Sequence, residues 1–307
     1  MRVQSLICCL ALALSAQPLF AQSALDTAKI EQIIGVKGTM IADENVFKVG
    51  KARSDVKVEV DGWSMPPFMG LGSWAAFTPA AHGGAMVMGD TVLFEDEVNP
   101  VMSAALDSGL EVTALHNHFF FDQPKVYFMH IGGMGDVEKL ATGVKKVWDK
   151  IAEIRSANPT PARTFGAPKI AGENAITPAP LETILGVKGQ SSQGMFKVVI
   201  GRPASMHGTA IGKEMGVNTW ASFGGRDAEA VIDGDFAMTE KELQTVLKAM
   251  RKEGINIVAI HQHMAGEEPR MLFLHYWGKG EAAQLAQAFR HVLDAQAEIT
   301  KHAAITK

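Results

Sequence analysis

Cysteine is nearly missing from this 307-residue chain, and its two copies, Cys8 and Cys9, both fall within the first 21 residues. Beyond that segment there is neither a disulfide nor a thiolate ligand, so any site must be built from nitrogen and oxygen donors. Long hydrophobic runs are missing as well. The apolar stretch over 6–16 is too short for a membrane span, and nothing downstream approaches about 18 uninterrupted apolar residues. Positive charge is not in excess: 29 Lys and Arg stand against 33 Asp and Glu, which argues against nucleic acid as a partner. With 47% apolar and 20% charged residues, the composition supports a packed core and argues against disorder.

Arg2, the apolar stretch after it and the small residue Ala21 before Gln22 together predict a signal peptide over 1–21. The expected location is therefore periplasmic or secreted. Cys8 and Cys9 lie too close to the start to follow an export core, so a lipid anchor is not expected.

Histidine is concentrated in one pattern used twice. His116-Asn117-His118 is followed by His130, and 145 positions later His261-Gln262-His263 is followed by His275, which takes six of the ten histidines. The duplication is wider than this. Ile34-Gly35-Val36-Lys37-Gly38 matches Leu185-Gly186-Val187-Lys188-Gly189, Trp74-Ala75-Ala76-Phe77 matches Trp220-Ala221-Ser222-Phe223, and residues 89–140 align without a gap onto 234–285. The chain divides into a first repeat over 25–157, a linker over 158–180 holding five of the thirteen prolines, and a second repeat over 181–302.

Patterning within each repeat predicts an α+β fold, duplicated in tandem. A strand is expected over 84–94, with a turn inside it at Val87-Met88-Gly89-Asp90. A helix follows, over 239–252 in the second half, opened by a capping box of Thr239 and Glu242 and closed by Gly254. Strands over 255–260 and 270–276 and a helix over 281–299 complete the unit. In the first half Val137, Leu140, Ala141, Val144, Trp148 and Ile151 mark the last helix, and Asn99-Pro100 marks the start of the one before it.

Residues i and i+2 of a strand share a face, so His116 and His118 present adjacent imidazoles, as do His261 and His263. The loop over 119–125 returns the chain so that His130 can join them from the neighbouring strand, and His275 can do so in the second half. Three neutral imidazoles leave a metal its full charge and an open position, the arrangement that polarises a carbonyl or activates water. Zinc suits such a site, although copper, iron, nickel and manganese accept imidazole too. The methionines, Met86, Met88, Met102 and Met129 among them, are read as core filling.

Glu97 and Glu95, placed by this reading in the approach loop, are the candidate general acid/base groups, Glu97 also serving as a possible fourth ligand. Arg53 and Arg202 match across the repeat and either clamp an anionic substrate or form surface salt bridges. Asp122 and Glu267-Glu268 are expected in solvent, and Trp74 and Trp220 in the core, with a pocket wall as their alternative.

Gly89-Asp90, Glu97-Val98-Asn99-Pro100, residues 110–118, Pro124, His130 and the tandem layout resemble the LppY/LpqO family of exported bacterial proteins. That resemblance covers nearly the whole chain and implies no particular reaction. The His-x-His pattern with a histidine on the next strand is also similar to acetolactate decarboxylase and to PTD012-like zinc-dependent ester hydrolases. That similarity implies zinc on His116, His118 and His130, and on His261, His263 and His275. The expectation is a zinc-dependent hydrolase or lyase acting on a small carbonyl or ester compound. The alternatives are a non-catalytic periplasmic metal carrier and a module associated with the cell wall.

Overall fold

The structure, a computed structural model, describes residues 25–170 and 172–305, so the expected signal peptide lies outside the described residues. The first repeat runs α1 (Thr27–Ile34), β1 (Gly38–Ile41), β2 (Val46–Ala52), β3 (Gly72–Pro79), β4 (Ala85–Phe94), α2 (Glu95–Asp107), β5 (Glu111–His116), β6 (Val126–Gly135) and α3 (Val137–Ala157). The second runs α4 (Pro178–Leu185), β7 (Gln190–Ser192), β8 (Met195–Gly201), β9 (Asn218–Arg226), β10 (Glu229–Thr239), α5 (Leu243–Lys252), β11 (Asn256–His261), β12 (Met271–Gly280) and α6 (Ala282–Ile305). Helices and six strands of a large antiparallel sheet, occurring once in each repeat, make this a duplicated α+β protein.

The matching glycine motifs are helix ends. Gly35 and Gly186 take φ of 76° and 69° as C-caps of α1 and α4, a left-handed conformation that glycine adopts without strain.

All twelve strands belong to one sheet, in the order β1-β2-β3-β4-β6-β5-β11-β12-β10-β9-β8-β7. Each repeat contributes six, and the halves join at the centre through antiparallel pairing of Leu115 with Ile260. Both β5 and β11 carry a register irregularity, between Val112 and Ala114 and between Ile257 and Ala259. Side-chain amides extend the joint beside these irregularities. Asn99 donates to Ile257 O at 3.1 Å and accepts from its N–H at 2.7 Å. Gln244 bonds Val112 N and O at 3.1 and 2.9 Å. These amides sit at matching positions of α2 and α5, so each repeat completes the backbone bonding of the other.

One face of the sheet is covered by the helices. Val49, Val87, Leu115 and Met129 of the first half and Ile232, Ile260 and Leu274 of the second share one core with residues of α1, α2, α3, α5 and α6. The opposite face carries a small apolar cluster in each half instead, Val58, Leu71, Val92, Phe94, Val126 and Phe128 in one and Ala204, Val217, Ala237, Met271 and Phe273 in the other. Beside each cluster a three-stranded sheet forms from the loops, one of them pairing Glu59–Val60 with Trp63–Ser64 and with Asp122–Gln123. Among the described residues no helix is long and apolar enough to cross a membrane.

Several local expectations are corrected. The strand β4 is unbroken from Ala85 to Phe94, with no turn at Gly89-Asp90. The helix α2 begins at Glu95, four residues before Asn99, and holds Pro100 inside it. α5 begins at Leu243 rather than Thr239, and only half of the capping box forms, Thr239 N donating to Glu242 Oε2 at 2.8 Å. Met102 and Met129 are buried, whereas Met88 is 58% exposed on the open face.

Candidate functional site

Strand parity carries the histidines to the helix-free face. His130 pairs in register with Ala114 on one side and Asp90 on the other, and His116 pairs with Phe128, so all five residues point the same way. His118 lies two residues past His116, where its ring stacks on Phe128 with centroids 3.3 Å apart. The second half repeats the arrangement: His275 pairs with Ala259 and Asp235, His261 pairs with Phe273, and His263 stacks on Phe273 at 3.6 Å. The phenylalanines of the small apolar clusters are thus the platforms that hold His118 and His263.

In the first half His116 lies between the other two imidazoles, but among the described residues the three do not form a compact ligand group. His116 lies 5.1 Å from His118 and 5.2 Å from His130 between ring centroids, and the Nε2 atoms of His116 and His130 are 3.1 Å apart. Two nitrogens at that distance share one proton or one cation; metal–nitrogen bonds of about 2.0–2.1 Å from a common centre produce nearly this separation. Burial pushes the His118 pKa down, with His116 and His130 adding to the shift and Asp90 opposing it.

The second half draws in a carboxylate. One ligand atom from each of Asp235, His261 and His263 falls within 4.8 Å of the others, a group that can hold a metal ion. Asp235 Oδ2 is 3.0 Å from His263 Nε2. His263 and His275 each turn Nδ1 toward a backbone carbonyl, Gly216 O at 3.1 Å and Gly234 O at 3.0 Å. An Nδ1–H donated in this way turns the Nε2 lone pair outward, as in metal-ligating histidines, and on His263 that nitrogen faces Asp235 Oδ2. His275 stacks on His261 with centroids 4.8 Å apart but stands outside the compact group. Burial, then the neighbouring His275 and His263, press the His261 pKa down to about 4.

Asp90 and Asp235 were not among the sequence candidates. They are 8% and 3% exposed, and Oδ1 of each is buried with no partner among the described residues, as is Nδ1 of His261. Burial raises the pKa of Asp235. The available signal was the Gly-Asp pair at identical places in both repeats. Its glycine permits close strand approach: a Cβ at Gly234 would stand 2.2 Å from both Trp220 O and the Tyr276 hydroxyl oxygen, and one at Gly89 would stand 2.7 Å from Trp74 O.

The carboxylates named from sequence lie elsewhere. Glu97 is fully buried at the third residue of α2, where it accepts from Phe94 N at 2.8 Å and from Arg53 at 2.8 and 3.0 Å, with Arg155 Nε 2.9 Å away. It is a helix cap locked between two guanidiniums, not a free loop carboxylate. Glu242 does the same work in the second half with Arg202, at 2.6 and 2.9 Å. Arg53 and Arg202 are therefore internal partners of these caps, neither surface salt bridges nor substrate clamps. Glu95 is exposed at the start of α2 and lines a cavity of about 180 Å³ with Tyr127 and Arg163. Tyr127 is one residue out of phase with Phe128, so this cavity lies on the helix side, across the sheet from the histidines. Burial, then Asp122 and Asp96, raises the Glu95 pKa, against the pull of Lys125.

Two further expectations are corrected. Asp122 and Glu267 are buried, accepting from Val126 N at 2.6 Å and Met271 N at 2.8 Å, so they tie down the loop that follows each histidine pair. Trp74 and Trp220 are half-buried on the open face beside Asp90 and Asp235, with Lys48 and Lys197 over their rings at 4.4 and 3.9 Å.

A family model, DUF1529, described as "Domain of Unknown Function (DUF1259)", matches the chain twice, over 28–150 and 179–295. The chain belongs to this family. Its two matches are the two halves of the sheet, each carrying one histidine set. No curated protein matches. Among solved structures, the double-ringed trimeric shell protein MSM0271 from the RMM microcompartment is 12% identical, over 72% of this chain and 85% of its own, with a TM-score of 0.19. The trimeric bacterial microcompartment shell protein PduB is 9% identical, over 87% of this chain and 92% of its own, with a TM-score of 0.22. Superposition this poor transfers neither fold nor function.

Proposed function

We propose that this is an exported metalloenzyme, a hydrolase or lyase acting on a small carbonyl or ester compound at the second-half histidine site on the open face of the sheet. The observation that carries the reading is the compact group of Asp235, His261 and His263, with His275 beside it and its ring nitrogens oriented by backbone carbonyls. A bound divalent ion supplies Lewis acidity there, and the mixed nitrogen and oxygen donors, with the similarity to zinc-dependent ester hydrolases, favour zinc over copper, iron or manganese.

The protein's own residues do the rest. Phe273 fixes the plane of His263, and Gly216 O and Gly234 O fix the orientation of His263 and His275. Oδ1 of Asp235, without a partner among the described residues, accepts a proton or completes a ligand set. Glu97 has no part in this chemistry, because its oxygens are committed to Phe94 N, Arg53 and Arg155. Export is supported by the N-terminal sequence pattern, and the linker over 158–180 by its proline content.

Elemental analysis of untagged protein purified from its native compartment tests the reading. About one zinc per chain, retained by His116→Ala and lost from His261→Ala, supports it; metal-free protein contradicts it. Ester or carbonyl turnover that survives both substitutions together also contradicts it. The presence of a histidine set in both halves favours a storage or carrier role as the second reading, which bound metal without any turnover on such substrates would support.

A further inference from the structure

A cavity of about 630 Å³ opens directly beside Asp235 and His263. Trp220, Lys188, Lys197, Lys213 and Glu214 are among the residues that line it. Lys188 is paired with Glu182 at 2.7 Å, and Lys213 lies 3.6 Å from Glu214. Lys197 has no carboxylate within ion-pair distance among the described residues, although Asp233 lies within its electrostatic reach; its ammonium rests on the Trp220 ring, 3.9 Å from the centroid. A cation on an aromatic face is held by the ring quadrupole without losing its charge.

Charge accounting sets the class of ligand. A divalent ion on Asp235 and the two neutral imidazoles leaves a net positive charge at one end of the cavity, and Lys197 places another further along its wall. Two separated positive centres in one cavity select a ligand with an anionic group at a distance from its reacting end. We infer that the second-half cavity binds a small compound bearing a carboxylate or phosphate, with the anionic group at Lys197 and the rest of the molecule reaching Asp235 and His263. This inference rests on the metal-site reading above and names the substrate class for it.

The first half shares part of this wall and differs in the rest. Lys48 stands over Trp74 in the same way, but the short helical turn Lys213–Met215 is replaced by Pro67–Met69, which puts Phe68 in the place of Glu214. Phe120 and Phe121 occupy the positions of Ala265 and Gly266, and Phe68, Phe120 and Phe121 are all exposed. The halves thus share a lysine on a tryptophan and differ in the turn and loop residues, which are exposed phenylalanines in the first half only.

Calorimetric titration of the full zinc-loaded chain with succinate, with inorganic phosphate and with neutral succinamide is the test. Succinate or phosphate is expected to bind while succinamide does not, and whichever anion binds more tightly identifies the source of the group. Lys197→Ala is expected to weaken anion binding about tenfold, as loss of one charged hydrogen bond does, and Lys197→Arg to restore it. Binding of succinamide as tight as succinate, or a Lys197→Ala affinity within twofold of the parent, overturns the inference. Zinc uptake without anion binding defeats the inference alone. Anion binding through Lys197 in a chain that takes up no zinc upholds the anion site and defeats the metal reading instead.

Discussion

Replacing Glu97 by alanine separates a structural carboxylate from a catalytic one. In the native protein its two oxygens serve Phe94 N, both terminal nitrogens of Arg53 and Nε of Arg155, and the side chain is wholly buried. Removing it leaves two buried guanidiniums short of a counter-charge and one helix N-terminus uncapped. Arg53 keeps Asp55 and Val92 O, and Arg155 keeps Asp96, so neither is stranded completely. Breaking a buried pair from one side costs about 3–5 kcal/mol. For a chain of this size that corresponds to a fall in Tm of roughly 5–8 °C. Urea unfolding followed by far-ultraviolet circular dichroism, with zinc stoichiometry measured on the folded variant, reads both quantities. Glu242→Ala is expected to cost less, since the side chain of Arg202 is more accessible than that of Arg53. A Glu97→Ala protein of parental stability, or one that folds normally and loses its metal, refutes the reasoning.

Gly234→Ala is expected to destabilise the protein by several kcal/mol, because its Cβ would overlap Trp220 O and the Tyr276 hydroxyl; thermal unfolding reads this, and a shift under about 1 kcal/mol contradicts it. Asn99→Ala orphans Ile257 N and O at the joint between repeats, so a loss of about 1–3 kcal/mol is expected in urea unfolding, with faster amide exchange at Ile257. In metal-free protein His261 titrates near 4 against 6.5 when unfolded. The unfolded state therefore binds the extra proton in that window, so the stability associated with this residue is present above about pH 6.5 and is lost as pH falls toward 4. His261→Gln is expected to flatten the dependence of the urea midpoint between those values, and an unchanged slope counts against the burial argument.

The histidine pattern was legible because strand parity is a local rule: residues two apart face the same way whatever surrounds them. His116 accordingly lies beside both His118 and His130, although among the described residues the three do not form a compact ligand group. The structure places His261 and His263 together with an aspartate that parity alone does not reveal, since Asp235 meets His275 only through the pairing of β10 with β12. Glu97 was misread for a related reason. Its partner Arg53 lies 44 positions away, and nothing between them marks the bond. Trp74 and Trp220 were assigned to the core by residue type, whereas their position opposite Asp90 and Asp235 puts them on the open face. The single sheet was not legible either. Its central joint rests on one residue pair and on amide bonds spanning 132 and 158 positions, and local periodicity carries no trace of such distances.

Crystals of the full chain soaked in zinc, with anomalous diffraction recorded at the zinc edge, measure the central claim directly. The account predicts a peak about 2.0–2.2 Å from nitrogens of His261 and His263 and from an oxygen of Asp235. A peak confined to surface carboxylates, or none on the open face of the sheet, contradicts it.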